Sequence, residues 1–524
     1  MLSNHLLFII ACERNSLRDA KRLLTANPEL VLKCTASEGH TPIYVCSQNN
    51  SLIVAEYIIE KGANVNQASK SGDTPLIVSS QHGQQEAVKL LLANGASVNQ
   101  TNPNSNVSPL LIGSQQGCHG VVKLLLESGA NLDQAENQRG ATPLSLSSQH
   151  GHTAVVRLLL EKGAKSDLAE KDGNTPLALS SERGHGAVTK LLLASGAKVD
   201  AADNEGYSSL IFSCQEGHRE VVKLLLNNGA TVDQAMADGV TPLLMSCQND
   251  HREVAKLLLN NGAKVDQANM VGTTPLLMGC QKGFHEVVKL LLTKGANVDL
   301  TRNDGASPLC FASMLGYSTV VKLLLDKGAT VNQALDSGST SLIMSSQNGH
   351  REVVKLLLAK GATVDLANKN GSTPLIMSSM RGHPEVVALL LAKGAAVNQV
   401  DNNGRPPLYA SCQNGHLEVV KLLLANGANA HLVDNKGVGP ITISSLQGHQ
   451  EVFKLLLDPA SGEATNVIRE PNMAAKGARV CQSCGKEAEK MKKCSACRLV
   501  RYCSSECQKK DWKVHKRQCK KAAA

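Results

Sequence analysis

The chain has 524 residues, of which 42% are hydrophobic and 2% aromatic, and a formal net charge of +9. That length is too great for one compact core, the scarcity of rings excludes a core built on large aromatics, and no apolar run is long enough to span a bilayer. The charge is uneven: from Pro471 onward there are 15 Lys and Arg against 4 Asp and Glu, leaving 39 against 41 before it, so the basic character belongs to the tail.

Near the N-terminus Leu6–Ala11 is apolar, but no Lys or Arg precedes it and Cys12-Glu13-Arg14 follow at once. That pattern predicts a truncated first repeat helix rather than a secretory signal. Thr-Pro-Leu or a close variant then starts at Thr41, Thr74, Ser108, Thr142, Thr175, Ser208, Thr241, Thr274, Ser307, Thr340, Thr373, Pro406 and Gly439. Thr142 and Gly439 lie 297 positions apart, nine steps of 33 without a slip, while the two steps that join Thr74, Ser108 and Thr142 are 34. Units that stack on their neighbours cannot drift in length, so the phasing predicts a repeat solenoid.

Each unit reads alike. Thr74 is placed to cap a helix through its hydroxyl, with Pro75 at the first helical position, where the missing N–H costs nothing. The short helix runs to about His82 and Gly83 breaks it. A second helix carries Val221, Val222, Leu224, Leu225 and Leu226, a stripe too wide for one buried face and suited to a helix sandwiched between units. Gly229 closes it in a left-handed conformation, and Val232 to Gly239 has the composition of an extended arm and turn.

These residues resemble the ankyrin repeat family: Gly-x-Thr-Pro-Leu, then Gly-His-x-Glu-Val-Val-Lys-Leu-Leu-Leu, then Gly-Ala-x-Val-Asp, over about thirteen units and an atypical cap from 1 to 458. The resemblance implies an all-α-dominated solenoid of helix-turn-helix units with β-hairpin arms, which binds proteins. One departure is systematic. The His that the family carries after Thr-Pro-Leu is replaced by Ile77, Leu111, Leu244 or Ile376, and Ala-Ala by Ser79-Ser80 or Ser246-Cys247, so the hydrogen bonding that His supplies between repeats is in question.

Several recurrences have a structural and a functional reading. Gln48, Gln81, Gln115, Gln149, Gln215, Gln248, Gln281, Gln347 and Gln413 recur near the end of the first helix, beside the groove by the family resemblance. They are either an amide ladder for an extended backbone or the residue of recent duplication. Met314-Leu315 interrupts the series close to Phe311 and Tyr317; these four apolar residues mark a candidate partner-binding spot in the groove, against ordinary drift. Lys89, Lys223, Lys256, Lys289, Lys355 and Lys421 usually follow a Glu by three positions, as Lys223 follows Glu220, which predicts solvent-facing ion pairs rather than a nucleic-acid stripe. His after Gly (His152, His185, His218, His350, His383, His416, His449) reads as a structural hydrogen bond. Cys214, Cys247, Cys280 and Cys412 share one register and read as small buried residues, since stacked repeats hold them too far apart to bridge. No nucleophile elbow, phosphate loop, dinucleotide fingerprint or zinc-protease motif is present, and His285-Glu286 lacks its second His. The chain reads as a non-enzyme without a small-molecule substrate.

The phasing stops after Asp458, and the stretch 459–480, with Pro459, Gly462, Pro471 and Gly477, reads as a flexible linker. The spacing then changes: Cys481-x2-Cys484, Cys494-x2-Cys497, Cys503-x3-Cys507 and His515-x3-Cys519, seven of the chain's 16 cysteines and one imidazole. Those eight donors suffice for two tetrahedral Zn2+ ions with every position filled by protein, a structural rather than catalytic arrangement. Each structural zinc supplies an apparent ~10–16 kcal/mol, far more than Met491, Leu499, Val500, Tyr502, Trp512 and Val514 provide as a core. An odd thiol count and a ligand-spaced His weigh against a disulfide-stapled module.

Over 481–519 the chain looks like a MYND zinc finger. The resemblance implies interleaved ligation, with Cys481, Cys484, Cys503 and Cys507 on one zinc and Cys494, Cys497, His515 and Cys519 on the other. It also implies a protein-interaction module, some members of which grip proline-rich peptides, at positions matched here by Ser495, Gln508 and Trp512; Trp512 reads equally as the main core residue of a tiny domain. The residues 520–524 form a basic tail. Together the expectations are a scaffold or adaptor that binds partners through the groove and the finger. The alternatives are an accessory subunit of a methyltransferase or ubiquitin-ligase complex, and weak polyanion binding by the tail, which the thiolates and zinc make less basic. So many thiols predict a reducing compartment, cytoplasm or nucleus.

Overall fold

A computed structural model describes residues 3–33 and 38–457, and the backbone of 492–493 and 501–502. The chain divides into two units, Met1–Ser461 and Gly462–Ala524. Among the described residues the first contains 28 α-helices and one 3₁₀ turn, arranged as successive helix pairs. The apolar N-terminal stretch is a helix, Asn4–Glu13, that buries Phe8, Ile9, Ala11 and Cys12 and so begins the stack.

The first helix of each unit starts as the capping chemistry requires. The hydroxyl of Thr74 accepts from the Ile77 N–H at 3.2 Å, and Pro75 occupies the first turn. The same cap forms at Thr241, Thr274 and Thr373. Pro406 and Gly439 have no hydroxyl, and their helices Pro407–Gln413 and Pro440–Leu446 lack a side-chain cap, a loss of about 1 kcal/mol at Pro406 and of only a few tenths at Gly439. Gly217 ends the helix Ser209–Glu216 with φ 77, and a Cβ there would meet the His251 ring at 2.5 Å, so both backbone and neighbour demand glycine.

The second helices are sandwiched. In Arg219–Asn227, Val221, Val222 and Leu225 are buried, Leu226 packs half-buried against the same core, and Leu224 is half-buried. First helices contact the first helices of both neighbouring units, and each contacts its own second helix. One apolar core therefore runs from Phe8 to Leu456, with smaller clusters under the arms around Met245 and around Phe311. Stability in such a stack is a sum over units and junctions.

Histidine closes the junctions. The Nε2 of His218 donates to the Glu182 carbonyl at 2.9 Å, and His152, His185, His251, His350, His383, His416 and His449 make the same bond 36 or 37 residues back. Gln84 replaces the imidazole with its amide, reaching the Gln48 carbonyl at 3.3 Å, and Ser51 reaches the Glu13 carbonyl at 3.2 Å. Phe284 and Tyr317 hold this register at two consecutive junctions, and the Phe284 ring has no donor. The Asp of Gly-Ala-x-Val-Asp also works across a junction: Asp200 accepts from the Thr231 N–H at 2.9 Å and Asp266 from the Asn297 N–H at 3.1 Å.

Among the described residues the arms are tight turns with two isolated antiparallel bridges, Ala202 with Ser208 and Ala334 with Thr340. Successive tips are joined backbone to backbone, as in Asn204 N–H to Asp172 O at 2.9 Å and Met270 N–H to Asp238 O at 2.9 Å. The two longer repeats take up their extra residue here. The turn-closing bond spans Asp203 N–H to Tyr207 O in an ordinary arm, but Asn102 N–H to Val107 O and Glu136 N–H to Ala141 O in the longer ones. The expected charge pairs form in part: Lys421–Glu418 at 2.9 Å and Lys355–Glu352 at 4.0 Å. Glu220 is held instead by Arg219 at 2.8 Å, because the guanidinium next door reaches it more directly than Lys223. All are exposed and worth a few tenths of a kcal/mol.

Candidate interaction face and metal centre

Among the described residues the arms and the first helices meet along one face, and hollows open there. Two, of about 480 and 450 Å3, share Tyr207 and Gln215. One is completed by Glu216, Met245, Gln248, Asn249 and His251. The other is completed by Asp172, Asn174, Asp203, Asn204, Glu205 and Phe212. Tyr207 stacks on Phe212 with ring centroids 5.0 Å apart, and its N–H donates to Asp203 Oδ1 at 2.8 Å. The third is a notch of about 100 Å3 lined by Arg302, Asp304, Ala306, Cys310, Phe311, Met314, Leu335 and Met344.

That notch locates two of the four expected groove residues. Phe311 is buried against Leu277 and Ala306, with the Arg302 guanidinium 4.9 Å above its ring, and Met314 packs half-buried beside it. Arg302 Nε donates to Asp304 Oδ1 at 3.0 Å, which fixes the cation. Leu315 and Tyr317 are exposed and do not line the notch. Tyr317 fills the junction register, its ring against Gly283. Arg302, Leu335 and Met344 line the notch without having been marked in the sequence; the 33-residue spacing of Phe311 and Met344 was the available signal.

Elsewhere the titratable groups are structural. Glu170, 4% exposed, is met by Arg139 Nη2 at 2.7 Å and by the Ser145 hydroxyl at 3.0 Å. Burial pushes its carboxyl above the usual range in spite of both partners. Cys214, Cys247, Cys280 and Cys412 are buried and unbridged. Burial pushes Cys247 and Cys412 up to about 12 and the other two well above their ordinary value. Such thiols are protonated and poor nucleophiles. Among the described residues no group of three or more His, Cys, Asp or Glu is arranged to hold a metal, and no helix is long and apolar enough to cross a membrane.

The expected zinc ligands Cys481, Cys484, Cys494, Cys497, Cys503, Cys507, His515 and Cys519, with Ser495, Gln508 and Trp512, lie outside the described residues. Lys492 and Lys493 pair antiparallel with Tyr502 and Arg501. In sequence Cys494 follows one of these strands and Cys503 the other. As chemistry, a donor set of seven thiols and one imidazole suits zinc.

The sequence profile described as "Ankyrin repeats (3 copies)" matches residues 8–102, 110–203, 186–269, 266–334, 331–401 and 389–468. The chain belongs to the ankyrin repeat family. Its ankyrin array replaces the family's usual His after Thr-Pro-Leu with aliphatic groups such as Ile77 and Leu244, both buried, while the His after Gly makes the junction bond. The profile described as "MYND finger" matches 481–519, so the ankyrin array shares its chain with a zinc-binding module. Both module types mediate protein–protein interactions.

Curated relatives align with the finger region. They include SET domain-containing protein 14 of Caenorhabditis elegans, 55% identical over 40 residues, 8% of this chain and 9% of the relative. Human histone-lysine N-methyltransferase SMYD3 is 53% identical over 47 residues, 9% of this chain and 11% of the relative. SET domain and MYND-type zinc finger protein 6 of Schizosaccharomyces pombe is 48% identical over 42 residues, 8% and 9% of the two chains. The chain thus spans about a tenth of the length of these relatives.

Proposed function

We propose that the protein is a non-enzymatic scaffold, holding one partner on the arm side of its ankyrin array and a second on its finger. The observation that carries this reading is the presence of two interaction modules of different kinds in one chain. Within it the array comprises 1–458, the linker 459–480, the finger 481–519 and the basic tail 520–524. The linker confers a high effective concentration on the second site once the first is filled. The finger binds two zinc ions through the interleaved sets of Cys481, Cys484, Cys503, Cys507 and of Cys494, Cys497, His515, Cys519. Ser495, Gln508 and Trp512 receive a proline-containing peptide. Phe311 and Met314 supply an apolar anchor point on the array, with Leu315 and Tyr317 on the exposed surface beside it. The compartment is cytoplasm or nucleus.

The deciding experiment is proximity labelling with the full chain beside a Cys503→Ser variant. The variant is expected to lose one set of partners and keep the other. An unchanged partner list would remove the finger from the scheme, and loss of every partner would remove the array. A second reading, an accessory subunit of a methyltransferase complex, draws on the finger's likeness to proteins named as methyltransferases. It predicts that such an enzyme co-purifies with the chain and that the purified chain transfers no methyl group alone.

A further inference from the structure

Eight of the eleven methionines lie between Met236 and Met380, and none of these eight belongs to the main core. Methionine instead sits in the smaller clusters under the arms, Met245 with Met236 and Met278 beside it and Met314 beside Phe311. Four of the eight, with two phenylalanines, form one register at intervals of 33: Phe212, Met245, Met278, Phe311, Met344 and Met377. Phe212, Met278, Met344 and Met377 are half-buried, and Met245 and Phe311 are buried. Each of the three hollows is lined by a member of this row: Met245 in the first, Phe212 in the second, Phe311 and Met344 in the third. A row of flexible thioethers repacks around whatever side chain arrives.

We propose that this row is the docking face for an extended, basic segment of a partner protein bearing a large apolar side chain at every third residue; the proposal rests on the scaffold reading and names the partner's chemistry. The spacing follows from packing. Neighbouring first helices are in direct contact, and packed helices lie about 8–10 Å apart. An extended chain covers about 10 Å in three residues. A helix would need seven residues to cover about 10.5 Å, but its backbone groups are already paired. Beside the row run Gln215, Gln248, Gln281 and Gln347, half-buried or exposed, and their amides both donate and accept. An extended backbone has free groups to meet them. The sign of charge follows from the two larger hollows, where Asp172, Asp203, Glu205 and Glu216 contribute carboxylates and no Lys or Arg lines either. In the notch the cation Arg302 is already held by Asp304. The face is complementary to lysine and arginine.

The test uses the zinc-loaded full chain and a random dodecapeptide library displayed on phage. Enriched peptides should be net basic with large apolar residues three apart. The best of them, measured by fluorescence anisotropy, should bind a Met278→Gln/Met344→Gln variant at least about tenfold more weakly, and a Met278→Leu/Met344→Leu variant nearly as well as the parent. An unchanged thermal melt separates this loss from unfolding. Enrichment of acidic peptides, an apolar spacing of seven, equal binding to the Gln variant, or no enrichment would each overturn the proposal. If array-dependent partners from the labelling experiment still bind the Gln variant, the scaffold reading stands and this docking face falls.

Discussion

Replacing His218 by alanine removes one junction bond and nothing from the core. The bond to the Glu182 carbonyl is 2.9 Å long and partly buried, so its net worth is about 1 kcal/mol. The ring also lies against Gly184, where a Cβ would come within 2.6 Å of it. Losing that packing and leaving the carbonyl half-satisfied adds about as much again, for a total of about 2 kcal/mol. The array supplies its own control: Gln84 makes the equivalent bond with an amide, at 3.3 Å. His218→Gln should therefore lose less than half as much as His218→Ala. Urea unfolding followed by far-ultraviolet circular dichroism is the assay, with hydrogen exchange at the junction to locate the change. In a linear stack the alanine variant should also broaden the transition, because units on either side uncouple. Equal losses for the two variants, or a loss below about 0.5 kcal/mol for alanine, would refute the assignment of the histidines as junction bonds.

Burial, aided by His218, His150 and His152, holds His185 below its ordinary 6.5 against the opposing bond to the Gln149 carbonyl. The unfolded chain then takes up the proton first, so this contribution is full above 6.5 and declines as pH falls below it; melts of His185→Gln should show a shallower acid decline than the parent. Glu170 has the opposite sign: its carboxyl is raised above its ordinary 4.5, so its contribution is present below 4.5 and lost as pH rises through the folded value. Arg139→Ala should cost about 1–2 kcal/mol at neutral pH and much less at pH values where Glu170 is protonated, and a deficit independent of pH in thermal melts would contradict the pairing. Alkylation with iodoacetamide, read by mass spectrometry, should leave Cys214, Cys247 and Cys280 unlabelled in the folded chain with or without chelator. Chelation should expose the seven thiols from Cys481 to Cys519; labelling of those seven before chelation would contradict the zinc reading.

Much of the stack was legible from the residues because its signals are local and repeated. Thr74 and Pro75 announce a helix start by their own chemistry, and the regular return of His218 and its equivalents identified a structural bond before its acceptor was known. The Phe212–Met377 row was hidden because its members differ and resemble drift when read one at a time. Their shared face emerges only when the arms are placed beside the first helices. Leu315 and Tyr317 illustrate the reverse: proximity in sequence grouped them with Phe311 and Met314, but the turn at Gly316 sends Tyr317 to the junction register, against Gly283. Glu170 could not be singled out, since its burial depends on Arg139, 31 positions away, and on Ser145 from the neighbouring helix.

The two longer repeats show where this molecule accepts extra length. Their additional residue is absorbed in the turns between Asn102 and Val107 and between Glu136 and Ala141, while the helices on both sides keep their register. The helices, by contrast, are packed against those of the neighbouring units. These turns are accordingly the natural ports for grafting an epitope or a fluorophore, where an insertion leaves the pitch of the column untouched.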